Sequence, residues 1–281
     1  MPDPHILIDG VVFGESPRWH DGRLWFCDWA AGKVAAVEPD GTREVVLTVD
    51  FPAFPMSIDF AADGTLLVVS SAQSALLRVE RDGSLIRAAD LSTVARTPWN
   101  EIVVDARGNA YINCIGFDFP GGEFAPGLVA LVTSTGAVTQ VAEGVAFPNG
   151  MAISADAQTL IVAESYGERL TAFDIDDDGG LSGRRTWAQT PGHHPDGICV
   201  DAAGAVWYAD VGTNRCVRMA EGGQVLDTIV LDRGCFACML GGNDGQTLFI
   251  VAQQWGQAPD LRAPTGQVLT VRAPSPHAGR P

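Results

Sequence analysis

Four oxygen-bearing side chains stand at similar places along the sequence and could together hold a metal ion. Glu15, Asn100, Asn149 and Asp196 each lie at the start of a short apolar segment. Taken singly, Asn and Asp before Gly are ordinary turn formers. If the fold buried all four together, however, their oxygens would need a positive partner. Such ligands suit calcium, magnesium or manganese, and zinc also accepts carboxylates.

A sixfold repeat supplies the arrangement that would bring these side chains together. Each repeat has a short apolar strand, a turn rich in Asp, Gly, Ala or Asn, and a second strand rich in Val, Ile, Leu or aromatic residues. The repeats lie 41 to 49 residues apart and start at Glu15, Met56, Asn100, Asn149, Asp196 and about Ala237. This is the period of a four-stranded propeller blade. The sequence therefore predicts an all-β, six-bladed β-propeller with four antiparallel strands per blade.

Ring closure makes the chain one domain over residues 1–281, because no blade covers both of its own faces. We expect the N-terminal strand, residues 5–13, to complete the last blade beside "GQVLTVRA". The Pro-rich tail, residues 273–281, is expected to be frayed. The first strand of each blade is innermost, so the six starting residues should meet at one end of the central tunnel, with a shift of one residue allowed in the first and last repeats.

Composition excludes several function classes. The chain has 18 basic and 34 acidic residues, a formal charge of -16 that would repel a nucleic-acid backbone. No secretory signal is visible and no apolar stretch approaches the roughly 18 residues that span a bilayer, so we expect a soluble cytoplasmic protein without membrane partners. The six cysteines are too sparse for a disulfide scaffold. Cys235 and Cys238 have metal-like spacing but no second pair, which favours buried core thiols.

Four strings resemble, in register and in order, the SMP-30/gluconolactonase family of regucalcin-like lactonases. They are "GESPRW" at 14–19, "WNEIVVDARGNAYI" at 99–112, "FPNGMAIS" at 147–154 and "PDGICVDAAGAVWYAD" at 195–210. The resemblance covers essentially the whole chain and implies a six-bladed propeller with one divalent metal ion in its tunnel, calcium first, with zinc, manganese or magnesium as alternatives. It implies Glu15, Asn149 and Asp196 as metal ligands. Asn100 would hold water or substrate, and Asp196 would also serve as general base.

One departure from the family pattern concerns the substrate. Better-known members often carry an arginine two residues before the equivalent of Asn100, where it touches sugar hydroxyls or the ring ester. Here that position is Pro98, so the resemblance does not carry sugar-lactone specificity over. A substrate-contacting carboxylate of some members has a possible counterpart in Asp118. This residue lies in the aromatic, Gly-rich loop 116–127, which we expect to form a lid or a pocket wall.

Further residues are candidates for the tunnel mouth. Of the two adjacent histidines that precede Asp196, only one can face the tunnel, and His194 is the candidate for substrate contact. Six aromatic residues fall near predicted strand ends, where each taken alone is more often a packing residue than a recognition residue: Trp29, Trp99, Phe117, Phe119, Tyr166 and Trp255. Trp99, next to Asn100, is included among the predicted substrate contacts. If several of them reach the mouth, the substrate is less polar than a free sugar.

The leading functional hypothesis is a metal-dependent hydrolase that opens a cyclic ester, a small-molecule lactone. Asp196 would accept a proton from water while Asn100 steadies the developing oxyanion. No Gly-x-Ser-x-Gly elbow is present, which disfavours serine-hydrolase chemistry. Three alternatives remain open: a propeller hydrolase of phosphotriesters or activated esters, a non-hydrolytic enzyme on the same metal site, and a calcium-binding scaffold.

Overall fold

The strands form six separate antiparallel sheets of four strands each, arranged as the blades of a propeller. This is the arrangement in the computed structural model, which describes residues 3–256 and 262–279. The innermost strands of successive blades contact one another all the way round the ring. The predicted six-bladed β-propeller is therefore confirmed.

The strands follow chain order from the inside of each blade to its outside. The first three blades comprise β2 Gly14–His20, β3 Arg23–Asp28, β4 Lys33–Val37 and β5 Arg43–Thr48; β6 Met56–Phe60, β7 Leu66–Ser70, β8 Ala75–Val79 and β9 Leu85–Asp90; and β10 Trp99–Val104, β11 Ala110–Cys114, β12 Gly127–Val132 and β13 Val138–Val145. The others comprise β14 Pro148–Ile153, β15 Thr159–Glu164, β16 Arg169–Ile175 and β17 Leu181–Gln189; β18 Pro195–Val200, β19 Val206–Asp210, β20 Arg215–Met219 and β21 Val225–Val230; and β22 Gly234–Gly241, β23 Thr247–Gln253, β24 Gly266–Arg272 and β1 His5–Val11. Two 3₁₀ turns lie at Leu91–Thr93 and Ser165–Gly167.

Burial falls from the tunnel outward and accounts for the residue pattern of each blade. Every residue of the inner strands β10, β18 and β22 is buried, whereas the outer strands β5, β9 and β21 are mostly exposed. Inner strands therefore read as nearly continuous apolar runs, since both of their faces are covered. The sixth blade takes its outer strand, β1, from the other end of the chain, where β1 pairs antiparallel with β24.

A β-bulge interrupts the start of five of the six innermost strands. The pairing register shifts between Glu15 and Arg18 in β2, and at corresponding places in β10, β14, β18 and β22. In β6 the pairing is regular, beginning with Met56 opposite Ser70. A bulge re-aims the side chains beside it, so these five strands turn residues toward the tunnel mouth where a regular strand would alternate.

Glycines follow two of the oxygen-bearing residues because neighbouring inner strands touch there. A Cβ on Gly150 would lie 2.5 Å from the carbonyl oxygen of Asp196, and one on Gly197 would lie 2.5 Å from the Cβ of Ala237. Any larger residue would force the inner strands apart. The Asn-Gly and Asp-Gly pairs are therefore requirements of packing at the tunnel wall and not turn signals alone.

The C-terminal tail is held by the propeller over residues 273–279, so the expectation of fraying is wrong there; Arg280 and Pro281 lie outside the described residues. His277 forms a bridge with Asp201, and the backbone N–H groups of Ala273, His277 and Ala278 donate to carbonyls of Gln246, Gly245 and Val200. These backbone hydrogen bonds hold the tail against the propeller although its sequence has no apolar pattern. Gly279 reaches a cavity of about 250 Å³ that Arg18 and His20, at the far end of β2, also line.

The remaining expectations about the chain concern its thiols and its surroundings. All six cysteines are free and buried, including Cys235 and Cys238. Among the described residues, no helix has the length and apolar character needed to cross a bilayer. The cytoplasmic location stays a prediction.

Glu164, at the end of β15, is a fully buried carboxylate that ties the fourth blade together. It accepts hydrogen bonds from Arg169 (2.8 and 2.9 Å), Thr171 (2.5 Å), Arg184 (3.1 Å) and the backbone N–H of Ala146 (2.7 Å). Burial alone would raise the pKa of this carboxyl. The donors outweigh burial, above all Arg169, and the pKa lies below its usual value.

Glu164→Gln should lower the free energy of unfolding at pH 7 by about 2 kcal/mol, because charge-assisted hydrogen bonds in the blade are lost. A lowered pKa stabilises the folded state above the unfolded pKa of about 4.3, and this contribution disappears as pH falls through the folded pKa. The difference between variant and wild type should therefore shrink below about pH 4, as measured by urea unfolding. Glu44→Gln removes an exposed ion pair with Arg23 and should change stability by less than about 0.5 kcal/mol. A pH-independent loss for Glu164→Gln would contradict this account.

Candidate active site

One mouth of the tunnel opens into a cavity of about 340 Å³ that contains all four oxygen-bearing residues. Glu15, Asn100 and Asp196 are buried, and Asn149 is half-buried. They come from the starts of β2, β10, β14 and β18, beside the bulges that turn them toward the tunnel. The structure therefore brings together the four residues that sequence spacing had predicted to converge. Of the other two positions, Met56 is absent from this cavity, and Phe236 lines it in place of Ala237.

No cationic side chain in the described part of the chain pairs with the two carboxylates at this mouth. Burial raises the pKa of Glu15 well above its usual value, and the charges of Asp196 and Glu101 raise it further. Burial likewise raises the pKa of Asp196, followed by the charges of Glu101 and Asp210, and these causes outweigh hydrogen bonds from the Gly197 N–H and the Asn149 side chain. Oδ1 of Asp196 is buried without a hydrogen-bond partner. Within residues 3–256 and 262–279, neither Glu15 nor Asp196 forms an ion pair with a side chain.

A third tunnel carboxylate, Glu101, has a cationic side chain beside it, which opposes the rise in pKa that burial causes. Oε1 of Glu101 accepts a hydrogen bond from Ser16 Oγ at 2.8 Å and pairs with Arg18 Nη2 at 3.4 Å. Arg18 is itself buried and also lies 3.7 Å from Asp59. The chain therefore supplies its own cation one level below the mouth. At the mouth the described chain supplies no cation, so Glu15 and Asp196 are suited to a cation from solution.

Hydrogen bonds to acceptor-only carbonyls fix the orientation of both asparagine amides. Asn100 Nδ2 donates to the carbonyl of Pro148 (3.3 Å) and to Oδ1 of Asn149 (3.2 Å). Ser165 Oγ donates to the carbonyl of Pro195 (2.8 Å), so it accepts from Nδ2 of Asn149 (3.4 Å). Because a carbonyl cannot donate, each amide has one permitted orientation. Asn149 consequently presents its oxygen, with one lone pair still free, on the side of Asn100.

This network changes the role that the sequence suggested for Asn100. Both hydrogens of its Nδ2 are bound to protein oxygens, so none is left to steady an oxyanion without breaking one of these bonds. The side-chain group that remains is Oδ1, an acceptor. Asn100 therefore orients Asn149, and its contact with water or substrate stays a prediction that only Oδ1 can meet without loss of these bonds.

Ser165, which sequence reasoning missed, connects the site to the rim. Its backbone carbonyl lies 2.9 Å from Nδ1 of His194. Because this carbonyl only accepts, Nδ1 carries the proton and Nε2 is left as the acceptor of the ring. His194 is exposed and lines the cavity, whereas the ring of His193 turns away to Tyr208 and Asp210, each at 3.0 Å. Contact of His194 with substrate stays a prediction.

Two predicted substrate contacts do not reach the cavity. The prediction for Trp99 is wrong: its side chain is fully buried, packs with Ile102 between blades, and donates its indole N–H to the carbonyl of Ala95. Asp118 is exposed and is not part of the cavity wall. Its loop does contribute to the wall, through Phe119 and Pro120.

Aromatic side chains make up most of the remaining wall. Trp29, Phe119, Tyr166 and Trp255 reach the cavity as sequence reasoning allowed, while Phe117 lies behind the wall. Four lining aromatic residues were missed: Phe13, Phe54, Phe147 and Phe236. A signal was available for two of them, since Phe13 and Phe147 immediately precede the inner strands β2 and β14.

The donor set fits a hard divalent cation. In the described part of the chain, no three His, Cys, Asp or Glu side chains form a cluster that would hold a metal by themselves. The candidate site instead combines two buried carboxylates, neither paired with a cationic side chain in the described residues, with an amide oxygen whose orientation is fixed. Oxygen donors of this kind are the ligands of calcium, magnesium and manganese.

A six-bladed propeller with an oxygen-lined site at one end of its tunnel is the class of protein that these observations define. The family model of the SMP-30/gluconolactonase/LRE-like region matches residues 13–254. The chain belongs to this family, which confirms the resemblance noted in the sequence.

Individual relatives agree with this assignment. The chain is 26% identical to a pentonolactonase of Haloferax volcanii, over 82% of this chain and 84% of the relative. It is 27% identical to a 6-deoxy-6-sulfogluconolactonase of Pseudomonas putida, over 98% of this chain and 96% of the relative. A solved gluconolactonase from Xanthomonas campestris superposes with a TM-score of 0.76 at 26% identity, covering 94% of this chain and 88% of that one.

Asp196→Asn should change stability in opposite directions with and without metal. In chelator, the variant should be more stable by about 1 kcal/mol, because one of two buried like charges is removed. With calcium or manganese at 100 times its Kd, wild type should gain about 2.7 kcal/mol and become the more stable protein. Thermal unfolding with and without metal measures both effects.

The matched control for that experiment is Asp177→Asn, which neutralises an exposed carboxylate on the β16–β17 connection. It should respond to metal as wild type does. Equal metal stabilisation of Asp196→Asn and wild type would show that the ion binds elsewhere.

Ser165→Ala should raise the Kd of the metal ion about tenfold, because Asn149 loses the partner that fixes its amide and outer-shell partners of this kind carry factors of 10 to 100. Isothermal titration calorimetry gives the Kd directly. Ser154→Ala, at the opposite end of β14, removes a serine hydroxyl from the same blade and should leave the Kd unchanged. A Kd for Ser165→Ala within twofold of wild type would remove Ser165 from the site.

Proposed function

We propose that the protein is a metal-dependent lactonase whose ion is held by Glu15, Asn149 and Asp196. The observation that carries the proposal is the convergence, beside an oriented amide oxygen, of two buried carboxylates that no described cationic side chain neutralises. Membership of the family and relatives named as lactonases support the same reaction. A divalent ion bound there would polarise an ester carbonyl as a Lewis acid and lower the pKa of water.

The reaction adds one water molecule to the lactone. The water oxygen bonds to the carbonyl carbon, the ring carbon–oxygen bond breaks, and the ring oxygen leaves as a hydroxyl, which gives a hydroxy acid. One proton must travel from the water to the ring oxygen. Oδ1 of Asp196 has no protein partner and is the acceptor that we assign to this transfer.

The other polar residues position the reactants. The amide of Asn100 holds Asn149 in place, and its free oxygen accepts a hydrogen bond from water or substrate. His194 is held through Nδ1 by Ser165, so Nε2 can accept a hydrogen bond from substrate at the rim. Binding in a mostly apolar cavity excludes bulk water, which strengthens each of these electrostatic contacts. The ion itself we assign to calcium, with manganese, magnesium and zinc as the ions to compare.

Asp196→Ala should reduce kcat/KM for lactone hydrolysis by a factor on the order of 10³ or more, since a metal ligand and the proton acceptor are lost together. Exhaustive chelation of wild type should have a comparable effect, and adding back the divalent ion should restore turnover. A pH-stat assay over a panel of lactones measures both. The exposed Asp177→Ala variant should keep the rate of wild type.

Two outcomes would contradict the proposal. Turnover that survives chelation or the loss of Asp196 would exclude the mechanism. Stoichiometric metal binding without turnover of any lactone, phosphotriester or activated ester would identify a binding protein instead of an enzyme.

A further inference from the structure

Two continuous groups of aromatic rings form much of the wall of the active-site cavity. The first aromatic bank comprises Phe13, Trp29, Phe54, Phe236 and Trp255, joined by ring contacts at centroid distances from 5.0 to 5.9 Å. The second aromatic bank comprises Phe119, Phe147 and Tyr166, joined at 4.9 and 4.6 Å. Both banks line the cavity that contains Glu15 and Asp196.

In both banks, the rings deep in the cavity are buried and rings at the rim are exposed. Phe13, Phe147 and Phe236 are buried beside the polar floor, whereas Phe54, Tyr166 and Trp255 are 37%, 51% and 45% exposed. Exposed aromatic rings that continue a buried apolar wall mark a binding surface for an apolar group. A ligand that reaches the floor must therefore pass between these rings.

The polar groups open to a substrate hydroxyl are confined to the floor and the rim: Oδ1 of Asn100 below, and the polar atoms of His194, Tyr166 and Trp255 above. No lysine or arginine lines the cavity in the ranges that the structure describes. The indole N–H of Trp29 is bound to the carbonyl of Met56, and Ser165 Oγ is engaged by both Asn149 and Pro195. Each substrate hydroxyl buried here without a partner would cost about 1–3 kcal/mol. A polyhydroxylated ring bears several hydroxyls and incurs this cost for each one that is left unpaired.

An apolar substituent, by contrast, gains free energy when it is buried in this cavity. It removes aromatic surface from water at about 25 cal/mol per Å² and leaves no polar group unpaired. The cavity, at about 340 Å³, has room for a small ring with one substituent. We propose that the lactone opened at this site carries an alkyl or aryl substituent that lies between the two aromatic banks. This inference rests on the proposed lactonase function for the position of the ester.

Four γ-lactones of one ring size test the proposal: the unsubstituted ring, its phenyl and hexyl derivatives, and a polyhydroxylated pentonic acid lactone. The phenyl and hexyl compounds should exceed the polyhydroxylated one in kcat/KM at least about tenfold, the discrimination that apolar pockets achieve. Phe54→Ala and Trp255→Ala should reduce this preference about tenfold. Phe60→Ala truncates an aromatic ring at the opposite end of the tunnel and should leave the ratio unchanged.

Binding of the corresponding lactams, which do not turn over, separates the substrate class from the reaction. The phenyl lactam should bind wild type at least about tenfold more tightly than the polyhydroxylated lactam. Preferred hydrolysis of the polyhydroxylated lactone would overturn the substrate class and leave the lactonase function standing. If no lactone is hydrolysed, the lactonase function fails, and the lactams decide alone: tighter binding of the phenyl lactam supports an apolar ligand, and equal or weaker binding overturns it.

Discussion

The repulsion between Glu15 and Asp196 is the constraint on which the rest of the site depends. Two buried carboxylates at the end of a tunnel are costly unless a cation lies between them. The same tunnel contains the counterexample, because Glu101 receives the guanidinium of Arg18 one level below. The protein therefore has a way to neutralise a tunnel carboxylate and does not use it at the mouth. Under the proposed function, relief of this electrostatic cost would favour the binding of an ion.

The innermost strands of the propeller bring the residues of this site together. Glu15, Asn100, Asn149 and Asp196 are far apart in sequence, yet each lies beside a bulge at the start of an inner strand. The bulges aim the side chains. A second layer of hydrogen bonds, in which Asn100 and Ser165 donate to backbone carbonyls, then determines which atom of each amide faces the site. Blade geometry brings the donors together, and the amide network selects their oxygens.

The sequence predicted the propeller and the converging residues because both follow from periodicity. Repeat spacing reports the blades, and equivalent positions in a repeat must occupy equivalent places in the ring. Trp99 failed because neighbouring residues can face different surroundings: Asn100 enters the tunnel while Trp99 packs between blades. The expectation for the tail failed because its bonds are made by backbone groups, which leave no apolar pattern. The aromatic banks were only partly foreseen, since loop conformation determines where Phe54 points and the bulge between Cys235 and Ala237 in β22 determines where Phe236 points.

The tightly packed tunnel floor at Gly150 and Gly197 and the aromatic rim of the cavity differ in how much sequence change they tolerate. The tunnel floor cannot expand, because any side chain there would push adjacent inner strands apart. The outer aromatic rings at Phe54, Tyr166 and Trp255 sit on connections outside the strand ladders, where replacements disturb little of the scaffold. Directed evolution of this enzyme should therefore find new ligand preferences at the rim, and floor mutations should mostly be lost to misfolding.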